Sequence, residues 1–477
     1  MQKDNKRQTK IFPSGVYSII PIALSIVGVI LLYIWLSSDA ATELTERLPE
    51  VDTAESQSLG GAAGELQGEL VRFGGEPSDL PGAWPRFRGA NFDAISIEDV
   101  NLARTWPEQG PTVLWSVDLG EGFAGAAVLA GRVYIIDYDQ QEQADAIRCL
   151  SLDDGEEIWR YSYPVKVKRN HGMSRTVPAV TEKYIVTMGP KCHVTCLDSM
   201  TGEFHWMLDL VGDFGAVVPE WYAGQCPLIE NEKAIIAPGG SALMMAVDCN
   251  TGDIIWQTPN PHGWKMTHSS IVPAEFMGTR MYVYCASGGV VGVSAQTGEI
   301  LWEYPDWKIR IANVPSPLVV GRGRIFLSGG YNAGSMMLQL TGENGEIKAQ
   351  QLYRLETEVF GSDQQTPILY DGYIYGVRPD RQLVCLDLDG EVVWTSSNTN
   401  QFGPRGLGPY SIADGKIYIL DDNGTLTLVE ASPAGYNQLE QAKVLDGPDA
   451  WAPMAFASGR LIIRDMNRMV CLDITEN

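Results

Sequence analysis

The sequence predicts an all-β chain, an eight-bladed β-propeller of four-stranded blades preceded by one transmembrane helix, and three observations carry that prediction. A block of about 46 residues recurs from Gly110 to Asn477, a span of 368 residues. The chain of 477 residues holds 50 Gly and 27 Pro, above the usual share of about 12%, which favours many tight turns over long helices. The last block also stops short of its final strand, and Pro111-Thr112-Val113-Leu114-Trp115 can supply it from the other end.

Taken in order, the first element is apolar. Residues 11–38 carry no charge, and Val16 to Leu36 form a stretch of 21 nearly unbroken apolar residues, enough to cross a bilayer core as a helix. Lys3, Lys6, Arg7 and Lys10 precede it, so the positive-inside rule places residues 1–10 in the cytoplasm and the bulk outside. This predicts a cytoplasmic tip and signal anchor over 1–38, with residues 14–36 in an inner membrane and the propeller on the periplasmic side. A cleaved signal peptide ending at Ser38-Asp39-Ala40 is the competing expectation, although signal h-regions are shorter. Residues 39–83 follow as an acidic, flexible linker of net charge −8, rich in Ala, Gly, Ser and Glu.

The propeller is expected over 84–477, with 84–109 as a lead-in and 110–477 as the blades. Its best repeats are Leu197-Asp198-Ser199-Met200-Thr201-Gly202-Glu203-Phe204-His205-Trp206, Val247-Asp248-Cys249-Asn250-Thr251-Gly252-Asp253-Ile254-Ile255-Trp256 and the copy ending in Gly298-Glu299-Ile300-Leu301-Trp302. Glycine supplies positive φ in the turn, and the Asp or Thr side chain bonds the turn backbone. Trp gives the outer strand a flat face to pack on the next blade. Trp115, Trp159, Trp206, Trp256, Trp302 and Trp394 are thus expected as blade-docking residues, with Ala349 and Leu439 in the corresponding places of two degraded copies. Asp153-Asp154-Gly155 and Asp387-Leu388-Asp389-Gly390 fall on the same turn and lack calcium-loop spacing.

This repeat resembles the tryptophan-docking repeat of PQQ-type eight-bladed propellers, a family that includes quinoprotein alcohol dehydrogenases and the outer-membrane-assembly lipoprotein BamB. Trp84-Pro85-Arg86-Phe87-Arg88-Gly89 and Trp106-Pro107 look like the opening of exported PQQ-binding-like propeller repeat proteins. The resemblance implies the fold. It implies two activities of different class, because the repeat itself is structural: a binding or scaffold module, or a PQQ-dependent alcohol oxidoreductase. Dehydrogenases of the family set an adjacent Cys-Cys disulfide against the quinone and hold Ca²⁺ or a lanthanide with Glu, Asn and Asp. No Cys-Cys pair occurs here, so no cofactor is expected and PQQ with Ca²⁺ is the alternative.

Composition narrows the partners. A net charge of −24, of which −19 falls on the propeller, argues against a nucleic-acid coat. Eight Cys in this length are too dilute for a disulfide scaffold and read as buried thiols. Cys149, Cys196, Cys385 and Cys471 share one repeat position, where Ala246 and Gly292 stand in other blades. The five His show no zinc spacing, and His193 and His205 are placed in strands. There is no phosphate-binding glycine loop and no nucleophile elbow.

Binding is therefore expected on the loops leading into the first strands, which collect Lys166, Lys168, Arg169, His171 and Arg175, a basic run in an acidic protein. The candidate face comprises Arg175, Trp221, Gln225, Trp264, His268, Trp307, Gln365, Arg405 and Trp451, and Arg, Trp and Tyr on rigidly held loops suit recognition. Arg175, Gln225, His268, Gln365 and Trp451 are expected at the mouth of the central channel. An envelope protein is the expected partner, with a small ligand in the channel as a further possibility.

Overall fold

A computed structural model describes residues 25–28, 68–343, 345–396 and 407–476. The chain divides into two compact units, Met1–Val51 and Asp52–Asn477. In the first unit residues 25–28 are helical, and the rest of the expected span 14–36 lies outside the described residues. Among the described residues no helix is long and apolar enough to cross a membrane.

Among the described residues the second unit holds eight antiparallel sheets, seven built on four consecutive strands of one repeat and the eighth completed by a strand from earlier in the chain. Blade 1 is Ala127–Leu129, Arg132–Asp139, Ala144–Ser151 and Glu157–Pro164. In blade 8, Ala455–Ala457, Arg460–Arg464 and Arg468–Asp473 are completed by Thr112–Asp118, with Trp115 opposite Cys471. The ring therefore closes by pairing Thr112–Asp118 with Arg468–Asp473. Second and third strands are buried along almost their whole length, as in Tyr184–Met188 and His193–Asp198. Each is covered on both faces by neighbouring blades, which is why these segments read as continuous apolar runs rather than alternating ones.

A β-bulge recurs in the pairing of third and fourth strands in all eight blades. Each bulge sits next to the docking position and sharpens the local twist. The residue opposite Trp is small: Cys149, Cys196, Ala246, Gly292, Cys385 or Cys471. At Gly292 a Cβ would fall 2.1 Å from the Trp302 ring nitrogen. All eight cysteines are buried free thiols.

The bulge corrects two expected positions. In blade 5, Met337 pairs with Tyr353 at the bulge, so Tyr353 and not Ala349 occupies the docking position. The hairpin strands Gly334–Glu343 and Glu346–Leu355 run on past the usual turn, which displaces the spacing. Ala349 instead packs with Ile347 against the cluster around Trp302. In blade 7, Leu428 pairs with Glu440, one residue beyond Leu439.

The first strands are stitched to one another. The Val177 amide donates to Cys226 Sγ (3.3 Å), the Cys226 amide to Ser270 Oγ (3.0 Å), the Ser270 amide to Ser316 Oγ (3.0 Å) and the Ser316 amide to Thr366 Oγ1 (2.9 Å). Four of these residues precede proline, which holds them extended and leaves their side chains to do the bonding. The result is a collar of buried bonds from blade 2 to blade 6.

The lead-in crosses this collar. Trp84 exchanges two backbone bonds of 2.8 Å with Val128 of blade 1, and the Val180 amide of blade 2 donates to Pro85 O at 2.8 Å. Arg88 then donates to Thr366 O (3.1 Å) and Pro367 O (2.9 Å) of blade 6, and the Ile412 amide of blade 7 donates to Ala94 O at 2.9 Å. A segment that reaches blade 2 at residue 85 and blade 6 at residue 88 must cross the ring axis. It closes the channel at one end.

The expected linker 39–83 ends earlier than its composition suggests. Residues 39–67 lie outside the described residues. Glu69–Arg72 pairs antiparallel with Glu157–Pro164 as a fifth strand of blade 1, and the Gly82 amide bonds Ser458 Oγ at 2.9 Å. Backbone pairing along an open strand edge holds the segment, so its charged composition does not prevent it from folding.

Candidate functional site at the channel mouth

Opposite the closed end, the loops leading into the first strands surround the mouth. The Arg175 guanidinium lies 5.0 Å from the Phe123 ring centroid, and Phe123 stacks on Trp451 at 5.1 Å. Arg175 also donates from Nη2 to His171 O (2.8 Å) and Asn170 O (3.0 Å), and from Nε to Trp221 O. Trp221 in turn sits 6.3 Å from the His268 ring. Blades 1, 2, 3, 4 and 8 thus meet through one chain of aromatic and cationic contacts. Burial brings the Arg175 guanidinium down to about 10. Burial, helped by the Arg175 charge, holds the His268 imidazole at about 4, so it is neutral near pH 7. Its buried Nε2 has no hydrogen-bond partner.

The basic run is anchored at the same place. Arg169 Nε pairs with Glu121 at 2.5 Å, Asn170 donates to Glu220 O at 2.7 Å, and the Tyr222 hydroxyl donates to Lys168 O at 2.6 Å. A short helix, Leu210–Phe214, capped by Asp209 at its start and by left-handed Gly215 at its end, leads the chain into this loop.

Between the mouth and the lead-in lies a cavity of about 80 Å³, walled by Trp84, Phe87 and Arg88 below and by Gln365, Tyr410 and Trp451 among the blades. Arg88 is buried, and burial lowers its guanidinium to about 10.

The family described as outer membrane protein assembly factor BamB matches residues 143–396, more than half of the chain. The chain belongs to that family. The BamB structure from Moraxella catarrhalis is 14% identical, covering 76% of this chain and 99% of that one with a TM-score of 0.55. A europium-containing methanol dehydrogenase is 13% identical over 80% of this chain and 89% of that one, TM-score 0.57. The computationally designed Ika8 protein is 9% identical over 76% of this chain and all of that one, TM-score 0.52. These likenesses are of fold. No curated protein matches.

Within this BamB-family ring the candidate residues separate into groups. Arg175, Trp221, His268 and Trp451 form the mouth cluster, and Gln365 joins Trp451 at the cavity. Gln225 is fully buried. Its amide donates to Ala237 O and the Tyr284 hydroxyl, both at 3.2 Å, and its Oε1 accepts from the Ala237 amide. That makes it an internal lock rather than a surface. Trp307 is also buried, with Arg354 against its ring at 5.6 Å. Trp264 stacks on His262 at 5.3 Å, half-buried on the rim. Arg405 lies outside the described residues. Phe123, Arg88 and Tyr410 complete the arrangement, and only their place in space marks them. The one signal in the residue order was the small polar residue before proline at 226, 316 and 366.

Trp84, Phe87 and Arg88 wall the cavity of about 80 Å³ at this level of the channel. Among the described residues no three His, Cys, Asp or Glu side chains group to hold an ion. The acidic turn residues are engaged locally, Asp387 Oδ1 accepting from the Asp389 and Glu391 amides at 2.9 Å each.

Proposed function

We propose that this chain is a membrane-anchored, exported propeller that works as a binding or scaffold module, docking an envelope protein on the mouth face. The observation that supports it is the contact chain from Trp451 through Phe123 and Arg175 to Trp221. It places half-buried Trp and buried-stem Arg groups on loops tied to a stitched ring, which is the chemistry of interface anchors. Membership of the BamB family supports a protein partner. The anchor is residues 14–36, with the ring on the periplasmic side.

Crosslinking from membranes that carry the full chain tests the reading. Recovery of a partner is expected from the unaltered chain and is lost on combining Trp221→Ala, Trp264→Ala and Arg405→Ala. Unchanged recovery sinks the mouth-face assignment. The oxidoreductase alternative is tested by adding PQQ and Ca²⁺ to the purified chain. No dye-linked alcohol oxidation is expected, and turnover overturns the scaffold reading.

A further inference from the structure

Two polar groups at the channel cavity, the Arg88 guanidinium and the Tyr410 hydroxyl, have hydrogen-bonding capacity to spare. Arg88 has five N–H donors. It gives Nε to Phe92 O (2.9 Å), one Nη1 hydrogen to Thr366 O (3.1 Å), and both Nη2 hydrogens to Asp93 O (3.1 Å) and Pro367 O (2.9 Å). One Nη1 hydrogen is left. No carboxylate lies within ion-pair distance of this guanidinium among the described residues, and Asp93 turns its Oδ1 to the Ile95 amide at 3.0 Å. Tyr410 lines the same cavity. It is 94% buried, and its hydroxyl has no hydrogen-bond partner. The Asp93 carboxylate favours the Arg88 charge without pairing with it, and the remaining Nη1 hydrogen and the Tyr410 hydroxyl are both available to donate. Burying such groups unpaired is costly.

The remaining walls are apolar or aromatic: Trp84, Phe87, Trp451 and Met454. Gln364, exposed at the rim, opens the space to solvent. At about 80 Å³ the cavity holds on the order of six water-sized positions. We infer that it is a binding site for a small organic monocarboxylate of about four to seven non-hydrogen atoms, whose oxygens take the Tyr410 hydroxyl and the Arg88 Nη1 hydrogen while its apolar body lies against Trp84 and Trp451. The lead-in that supplies Arg88 and Trp84 lies outside the family match at 143–396, so the site is a property of this chain rather than of the repeat. It shares Trp451 with the docking face proposed above, while Arg88 and Tyr410 belong to the cavity alone.

Tryptophan fluorescence of the full chain in detergent micelles, titrated with acetate, propionate and pyruvate, tests the site. A saturable change is expected for the carboxylates and not for acetamide, which matches acetate in size but carries no charge. Tyr410→Phe keeps the ring and is expected to weaken binding five- to tenfold with an unchanged melting temperature. Arg88→Ala removes four backbone bonds and can unfold the lead-in, so Tyr410→Phe is the deciding variant. Equal binding of acetamide, no loss with Tyr410→Phe, or no saturation up to high millimolar carboxylate overturns the inference. A sulfate or phosphate response as tight as that of acetate overturns the carboxylate class.

Discussion

Gly202, in the turn of blade 2, lies flat on the indole of Trp159 in blade 1, where a Cβ would fall 2.7 Å from the ring. The same relation joins Gly155 to Trp115, Gly252 to Trp206, Gly298 to Trp256 and Gly390 to Tyr353. These turns have φ between +74° and +90°, so the glycine is required twice, by its backbone and by its neighbour.

Gly202→Ala is expected to destabilise the ring by about 2–3 kcal/mol, combining the positive φ with overpacking. Gly278→Ala has the same φ of +75° but nothing within 4 Å, and is expected to cost about 1 kcal/mol. Urea unfolding of both variants isolates the packing contribution. Equal losses would refute it.

Tyr353 is expected to matter as a docking Trp does. Tyr353→Ala should cost about 3 kcal/mol, whereas Ala349→Ser should stay within about 0.5 kcal/mol. A reversed order would restore the position that spacing alone suggests.

The collar can be opened at one bond. Ser316→Ala leaves the buried Ser270 amide without its acceptor and is expected to cost about 1–3 kcal/mol. Thr366→Ser keeps the hydroxyl and is expected to cost less than half as much. Hydrogen exchange at Ser270 should accelerate in the first variant alone.

Asp145 is buried between blades 1 and 2, and its carboxyl is pushed up to about 7 by burial, against the opposing hydrogen bond from the Tyr163 hydroxyl at 2.7 Å. The folded state holds this proton more tightly than the unfolded chain. Its contribution to stability is therefore full below about pH 4 and declines as pH rises through 7. Asp145→Asn is expected to flatten the pH dependence of unfolding between pH 4 and 7. A slope identical to that of the unaltered chain would assign the linkage to another group.

The blade count, the closing strand and the aromatic positions of six blades were legible because a glycine turn and its Trp repeat the same chemistry at a nearly constant step. Tyr353 and Glu440 were not, since a longer hairpin shifts the residue count while the bulge keeps its place in the backbone pairing. The lead-in is a recognisable string of residues, but its partners are carbonyls 278 and 279 positions away, and backbone acceptors leave no mark in a sequence. Gln225 shows the same limit from the other side. A polar residue at the right place in the repeat turns inward here because the Ala237 amide and the Tyr284 hydroxyl are there to receive it.

The pairing of Thr112 with Asp473 also sets an order of assembly. Residues 112–118 are made long before the partner strand Arg468–Asp473 and must wait for it as the chain grows. Until then the nascent ring is an open arc whose terminal sheet edge is free to pair wrongly. A chain lacking Arg468–Asp473 would stay in that arc, so the arrival of this one strand completes the fold.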